Sequence, residues 1–275
     1  MTKRTAVKNV IWAICIGLAL LALLVGLFIA AVEHYYGDKT RPVMNVGTTV
    51  STTSSAKTTA DAVGAGKGTT SDGTLHELKS SRDAGQTYLD SLTFLCDSST
   101  IPLKSSGLTA APVWGSESRA LPMTTAFSWR IVFPGDGSVI SPDSAAMISK
   151  PGILVIAVGG DDAGGISRED FIENYELLIR AVLEASPGTR VICGAFCSVT
   201  TAYAGADGLT AERAPEINEW IKQVCTDTGA YYADWFSTVT SGGYLRPEYA
   251  EADGRTLSSA GLSALLGWLR THASA

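Results

Sequence analysis

Hydrophobic and polar positions divide the chain into three parts. Residues 10–32 form one uncharged apolar run, residues 47–74 are mostly Gly, Ser and Thr, and from residue 75 onwards short apolar runs alternate with stretches of helical periodicity. Continuous apolar runs bounded by polar residues predict strands that are covered on both faces. The predicted strands are 92–96, 153–158, 190–196 and 231–234.

Between and after these strands, apolar residues recur at helical spacing. Ser167 has the position of an N-cap, with Asp170 three residues later, and Ser186-Pro187-Gly188 ends the helix that follows. A second helix carries Ile217, Trp220, Ile221 and Val224, and a third runs from about Ser259 with Leu262, Leu265, Leu266 and Leu269 inward. Strand–helix alternation predicts an α/β fold, a three-layer α/β/α sandwich with a mainly parallel sheet.

The apolar run at residues 10–32 predicts one transmembrane helix. Its 23 residues would make a helix of about 34 Å, which is enough to cross a bilayer. A cleavable signal peptide is the alternative, but its apolar region should be shorter and end at a cleavage site between small residues. Lys3, Arg4 and Lys8 precede the run and no acidic residue does, so residues 1–9 should be cytoplasmic and the remainder extracytoplasmic.

The segment after the anchor predicts a flexible linker. From Gly47 to Thr74, 18 of 28 residues are Gly, Ser or Thr, and none is aromatic. Such a composition buries too little apolar surface to offset the entropy of ordering. We therefore expect a cytoplasmic tail at 1–9, a signal anchor at 10–32, a linker at 33–74 and one folded domain at 75–275.

Composition argues against two classes of binding site. The net charge is −6, from 21 basic and 27 acidic residues, so a nucleic-acid binder is not expected. Five cysteines occur without a CxxC pair or zinc-type spacing, so neither a structural metal nor another cofactor is predicted. Cys96, Cys193, Cys197 and Cys225 are expected to be buried free thiols.

Three of the predicted strands end in polar residues. These endings are Asp97-Ser98, Gly160-Asp161-Asp162 and Ser198-Val199-Thr200. Ligands of parallel α/β sheets bind beyond the carboxyl ends of the strands, so these residues predict a site. Helix capping is the alternative explanation for the same residues.

Three segments, in chain order, resemble the sequence blocks of the SGNH/GDSL hydrolase family. Residues 94–100, Phe-Leu-Cys-Asp-Ser-Ser-Thr, resemble the first block, in which a strand ends in Gly-Asp-Ser. Residues 158–162, Val-Gly-Gly-Asp-Asp, resemble the third block, Gly-x-Asn-Asp. Residues 253–258, Asp-Gly-Arg-Thr-Leu-Ser, resemble the last block, Asp-Gly-x-His-Leu. The resemblance extends over about residues 86–273 and is to secreted bacterial members, which implies an SGNH-hydrolase, flavodoxin-like domain.

The resemblance implies a serine esterase site. Ser98 would be the nucleophile, and Asp253 would orient a histidine at position 256 that takes the serine proton. The backbone N–H of Ser98, a second-block glycine and the side chain at position 161 would form the oxyanion hole. Gly115 is the better candidate for that glycine and Gly135 the weaker.

The catalytic residues depart from the family pattern. Thr256 occupies the histidine position, and its hydroxyl cannot accept a proton at neutral pH. His34 is next to the predicted anchor, His76 lies where linker meets domain, and His272 is about 20 Å along the terminal helix, so none is expected to replace the base.

A second departure falls on the oxyanion hole. Asp161 stands where the family has asparagine, and a carboxylate repels the oxyanion that an amide would stabilise. A protonated Asp161 could still donate a hydrogen bond, but this needs a large upward pKa shift. Cys96 in place of glycine adds a side chain behind the nucleophile and should be tolerated.

Two functions follow from these residues. The favoured one is a membrane-anchored, extracytoplasmic SGNH/GDSL domain with little or no esterase activity, which binds a cell-surface glycan or another envelope component, or acts as a scaffold. The alternative is an active esterase that uses Ser98 to remove O-acyl groups from extracellular polysaccharide. The expected partners are an acylated glycan or small ester and, through residues 10–32, the membrane.

Overall fold

The computed structural model describes residues 71–205 and 207–273. The predicted tail at 1–9, the anchor at 10–32 and the linker as far as residue 70 lie outside this part of the chain. Within residues 71–205 and 207–273, no helix is both long enough and apolar enough to cross a bilayer.

A six-stranded parallel sheet forms the centre of the domain. The strands of the described residues are β1 (His76–Glu77), β2 (Thr93–Cys96), β3 (Val113–Trp114), β4 (Ile131–Val132), β5 (Val139–Ile140), β6 (Ile153–Ala157), β7 (Arg190–Gly194), β8 (Tyr231–Ala233), β9 (Thr240–Ser241) and β10 (Tyr244–Leu245). The order in the sheet is β1-β8-β7-β6-β2-β3, and all five neighbouring pairs are parallel. The pairs β4/β5 and β9/β10 form small antiparallel ribbons outside it.

Helices cover both faces of this sheet. They are α1 (Gly85–Ser91), α2 (Pro142–Ser149), α3 (Arg168–Ala185), α4 (Arg213–Thr228), α5 (Phe236–Val239) and α6 (Ser259–Arg270), with 3₁₀ turns at Ile101–Ser105, Met123–Ser128 and Pro247–Tyr249. The chain moves across the sheet toward β1 as it passes from β6 through α3, β7 and α4 to β8. It moves in the opposite direction as it passes from β1 through α1 to β2. Because such crossovers are right-handed, α3 and α4 lie on one face and α1 on the opposite face, where α6 packs against it.

The α/β prediction and its main elements are confirmed. The predicted strand at 92–96 is β2, that at 153–158 is β6, that at 190–196 is the shorter β7, and that at 231–234 is β8. The Ser167 hydroxyl accepts the Asp170 N–H at 3.1 Å at the start of α3, as its position in the sequence predicted. The four cysteines of the described residues are buried and free, as expected.

Candidate active site

Ser98 lies two residues after the end of β2, at the carboxyl edge of the sheet. The loop is fixed by the carboxylate of Asp97, which is 1% exposed. One oxygen of Asp97 accepts the backbone N–H of Ser99 at 3.0 Å and its hydroxyl at 2.6 Å, and the other accepts the Gly160 N–H at 3.0 Å. Asp97 therefore joins the loop after β2 to the loop after β6 and brings Ser98 next to Asp161.

Asp161 makes direct contact with the candidate nucleophile. Its Oδ1 accepts a hydrogen bond from the Ser98 hydroxyl, and its Oδ2 lies 3.3 Å from the Ser98 backbone N. Oδ2 also accepts the Leu121 N–H at 2.6 Å. The carboxylate of Asp161 thus occupies the N–H donor of Ser98 that the oxyanion hole of an esterase would need.

A guanidinium group completes the surroundings of Asp161. Nη2 of Arg255 lies 2.7 Å from Oδ1 of Asp161, and Nη1 lies 3.6 Å from Oδ2 of Asp207. The side chain of Asp161 is 3% exposed and that of Arg255 is 14% exposed, so this ion pair is buried. Four donors therefore surround the Asp161 carboxyl group: the N–H and hydroxyl of Ser98, the N–H of Leu121 and Nη2 of Arg255.

The buried charges of the site affect one another. Burial and the nearby charge of Asp161 raise the pKa of Asp97 to about 6. Burial acts to lower the pKa of Arg255, but the charges of Asp97 and Asp161 outweigh it and raise that pKa. Arg255 therefore stays cationic between two buried carboxyl groups.

Asp253 and Thr256 lie together on the loop that precedes α6. The Thr256 hydroxyl donates to Oδ2 of Asp253 at 2.5 Å, and the backbone N–H groups of Arg255 and Thr256 donate to Oδ1 at 3.0 and 2.8 Å. Burial would raise the pKa of Asp253, but these hydrogen bonds lower it overall. The Leu257 N–H donates to the Ser99 carbonyl at 2.8 Å and ties this loop to the serine loop.

Gly115 follows β3, beside the end of β2. Its carbonyl accepts the Val132 N–H at 2.9 Å, and a Cβ added here would come within 2.1 Å of the terminal methyl group of Ile101, so a larger residue would have to displace that side chain. Its proposed part in an oxyanion hole stays a prediction. The weaker candidate, Gly135, lies in the turn between β4 and β5 beside the Phe133 ring.

The segment after β3 folds over the site. The Leu121 N–H donates to Asp161. After Pro122, which has no N–H, the backbone N–H groups of Met123 and Thr124 donate to the carboxylate of Asp162 at 2.9 and 2.7 Å. The adjacent carboxyl groups of the loop after β6 therefore hold residues 121–124 in place.

The histidines of the described residues are engaged elsewhere. His76 is in edge strand β1, with Nε2 3.4 Å from Asp72. His272 stacks on the Trp268 ring at 3.9 Å and its Nδ1 contacts the Trp268 carbonyl at 2.9 Å. His34 lies outside the described residues. The residues around Ser98 are thus aspartate, arginine and backbone amides.

Within residues 71–205 and 207–273, no cluster of three or more His, Cys, Asp or Glu side chains is arranged to hold a metal ion.

Comparison with known proteins gives the family. The sequence model of the GDSL-like lipase/acylhydrolase family matches residues 107–274, which is more than half of the chain. The chain belongs to this family. The matched range contains Gly115, Asp161, Asp253 and Thr256 and begins after Ser98.

Solved structures similar to this GDSL-family domain include two bacterial proteins and one fungal protein. A candidate GDSL-like lipase from Parabacteroides merdae is 13% identical, with a TM-score of 0.47 over 71% of this chain and 98% of that one. A GDSL-like lipase from Bacteroides thetaiotaomicron is 12% identical, with a TM-score of 0.42 over 68% and 90%. A carbohydrate esterase family 3 protein from Talaromyces cellulolyticus is 15% identical, with a TM-score of 0.42 over 65% and 93%. No curated protein matches the chain.

The candidate site contains residues that the sequence did not single out for the chemistry. Arg255 and Leu121 both contact Asp161. A signal for Arg255 was present, because it is the cation inside the last block, next to the substituted histidine position. No sequence signal marks Leu121, since it acts through its backbone N–H.

Proposed function

We propose that this chain is a membrane-anchored, extracytoplasmic GDSL-family domain with little or no esterase activity. The observation that carries this proposal is the placement of the Asp161 carboxylate. It accepts hydrogen bonds from both the backbone N–H and the hydroxyl of Ser98, and it is paired with Arg255. An ester carbonyl could use the Ser98 N–H only after this carboxylate had left.

The surroundings of Ser98 also argue against an efficient proton transfer. In a serine esterase, an imidazole accepts the serine proton and passes it to the leaving group. Thr256 instead donates its hydroxyl hydrogen to Asp253, which leaves the acidic partner of the family pattern without a base to orient. Loss of the base alone leaves only the acceleration that binding and an oxyanion hole provide.

The two defects fall on different parts of the reaction. Removal of one oxyanion donor typically lowers turnover by about 100- to 1,000-fold, and a charge of the wrong sign should cost more. The absent base slows both formation and breakdown of an acyl-enzyme. Together these effects support a domain whose ester turnover is close to background.

The direct test combines a covalent probe with a turnover assay. The full chain in detergent is treated with a fluorophosphonate probe and with p-nitrophenyl acetate, and the Ser98→Ala variant is the matched control. We expect neither labelling of Ser98 nor turnover above the Ser98→Ala background. Labelling together with Ser98-dependent turnover would overturn the proposal.

The alternative function is an active esterase that deacylates extracellular polysaccharide. One observation favours it: the Ser98 hydroxyl donates to the carboxylate of Asp161, so Asp161 would be the proton acceptor. The same carboxylate also accepts the Ser98 N–H that an ester carbonyl would need, which is why we favour the inactive form. In the assay above, the alternative requires turnover that is lost in both Ser98→Ala and Asp161→Asn.

A cell-surface glycan or another envelope component is the proposed ligand. An open cleft of about 340 Å³ lies beside Gly115 and supports this part of the proposal. Its lining residues include Lys104, Ser105, Ser116, Glu117 and Arg119. Hydroxyl and charged groups of this kind suit a polar, hydrogen-bonding ligand. Affinity electrophoresis in gels that contain acetylated polysaccharide should show retardation of the chain that is reduced in Arg119→Ala and unchanged in the distant Arg180→Ala.

The proposed location rests on the sequence of residues 1–32. The apolar run with basic residues only before it supports a signal anchor with the domain outside. The chain should remain in the membrane fraction after carbonate extraction. Protease added to intact cells should digest the domain when it can reach the outer face of the membrane. Release of the full-length chain by carbonate, or protection from protease, would contradict this location.

A further inference from the structure

The groups around Asp161 form a compact anion site. Oδ1 of Asp161 accepts from the Ser98 hydroxyl and from Arg255, and Oδ2 accepts from the backbone N–H groups of Ser98 and Leu121. Every lone-pair direction of an ordinary carboxylate is therefore addressed by a donor or a cation. Such a complete set is typical of a binding site for a carboxylate.

We propose that Ser98, Leu121 and Arg255 form a binding site for a small carboxylate, and that Asp161 is its built-in ligand. The side chain of Asp161 is CH₂–COO⁻, which differs from acetate by one hydrogen. It therefore occupies the site as a bound acetate ion would. The chain would thus keep an anion site closed with its own carboxylate.

The donors are held by contacts that do not involve Asp161. The Ser98 loop is fixed through Asp97, which binds the Ser99 N–H at 3.0 Å. The segment that carries Leu121 is fixed through Asp162, which binds the amides of Met123 and Thr124. The anion site should therefore keep its shape when the carboxylate of Asp161 is removed.

Arg255 also has its own supports. Its backbone N–H donates to Asp253 at 3.0 Å, and Nη1 lies 3.6 Å from Asp207. Within the described residues, its buried Nε and the buried hydroxyl of Thr200, next to Gly254, lack a hydrogen-bond partner. This part of the site thus has spare donor capacity as well as a fixed cation.

The charge balance selects a monovalent anion. Without Asp161, the buried side of the site would hold Arg255 and the nearby carboxyl group of Asp97. A bound anion with a single negative charge would replace the charge of the Asp161 carboxylate. A dianion such as phosphate would be larger than the Asp161 side chain and would be repelled by Asp97. Acetate and formate are therefore the probes that fit.

Size gives a matched pair of experiments. Asp161→Gly removes CH₂–COO⁻ and leaves room for acetate, whereas Asp161→Ala keeps Cβ and leaves room for formate. The thermal unfolding midpoint of the full chain is measured at pH 7 in 100 mM sodium acetate, formate or chloride. We expect acetate to raise the midpoint of Asp161→Gly by about 5 °C relative to chloride, and formate to act more strongly than acetate on Asp161→Ala.

Two controls separate specific binding from a general salt effect. The unaltered chain should respond equally to all three salts, because Asp161 already fills the site. The double variant Asp161→Gly/Arg255→Gln should lose the acetate response, because the cation is gone. An acetate shift of equal size in the unaltered chain, or no anion-specific shift in either single variant, would overturn the proposal.

A variant that does not fold in chloride still gives an answer. It is refolded from urea in 100 mM acetate or formate, and recovery of far-UV circular dichroism is measured. Recovery in the size-matched anion supports the proposal, and failure in both anions contradicts it. Because no ester is used, the outcome is independent of whether the chain hydrolyses one, and so it is distinguishable from failure of the proposed function.

Discussion

The guanidinium of Arg255 lies 2.7 Å from the carboxylate of Asp161, and this contact joins the last sequence block of the family to the third. The two departures from the family pattern are therefore physically connected. A carboxylate at position 161 gains a buried cationic partner from the residue next to the substituted histidine position. Removal of either partner alone should leave an uncompensated charge.

The first prediction concerns the stability contributed by this ion pair. In Arg255→Gln, the buried carboxyl group of Asp161 would lose its cationic partner, and the nearby Asp97 would add repulsion. Breaking a buried pair in this way typically costs about 3–5 kcal/mol. Urea unfolding followed by tryptophan fluorescence should show a loss of this size.

Arg180→Gln is the matched control for that measurement. Arg180 pairs with Glu176 on the outside of α3 and is 57% exposed, so its loss should cost no more than about 1 kcal/mol. Equal losses in the two variants would mean that the Arg255–Asp161 contact behaves like a surface pair.

The second prediction is a pH dependence that comes from Asp97. Burial and the charge of Asp161 raise its pKa to about 6 in the folded chain, against 3.8 for the unperturbed group. The folded state therefore binds the proton more tightly than the unfolded state, and this contribution is complete below about pH 4 and is lost as pH rises through 6. The free energy of unfolding should therefore fall as the pH rises from about 4 to above 6.

Asp97→Asn tests the source of this pH dependence. The variant loses the titrating group, so its free energy of unfolding should change less between pH 4.5 and 7 than that of the unaltered chain. Carboxyl groups whose pKa is lowered, such as Asp83 and Asp253, act in the opposite direction below pH 4, outside the window. Identical pH slopes for variant and unaltered chain would exclude Asp97 as the cause.

The sequence was sufficient for the fold because its main elements have strong local signals. β6 is a continuous apolar run, and α3 begins at a Ser167 cap and ends before Pro187, so both could be predicted from residues near in sequence. The two-residue strands β1 and β3 carry no such signal, because their pairing with longer neighbours defines them. They could be recognised only from the three-dimensional sheet.

The site was only partly predictable for a related reason. The strand-end rule brought Ser98 and Asp161 to one edge, and the structure places them in contact. It gave no indication that Arg255 would turn toward Asp161, since this depends on how the loop before α6 packs.

The third prediction concerns the segment that covers the site. In Asp162→Ala, the amides of Met123 and Thr124 lose their acceptor, and residues 121–124 should open more often. Amide hydrogen exchange of these two residues should accelerate by about tenfold or more, since each lost hydrogen bond is worth about 1–3 kcal/mol. Asp170→Ala, which removes a partner of the exposed Ser167 cap of α3, should leave exchange at residues 123 and 124 unchanged.

The last prediction tests whether Asp161 blocks a site that could otherwise catalyse. Thr256→His places an imidazole beside Asp253 but leaves the Asp161 carboxylate on the Ser98 N–H, so we expect no turnover of p-nitrophenyl acetate above background. Adding Asp161→Asn replaces the carboxylate by an amide donor. The double variant should then exceed the single variant by about 100-fold or more, because it gains an oxyanion donor and loses a repelling charge.

The same double variant with Ser98→Ala is the control, and its turnover should return to background. Activity that survives this change would come from the new imidazole acting without the serine. Equal activity of Thr256→His with and without Asp161→Asn would mean that an ester reaches Ser98 while Asp161 is in place, and the carboxylate could then no longer be regarded as the group that closes the site.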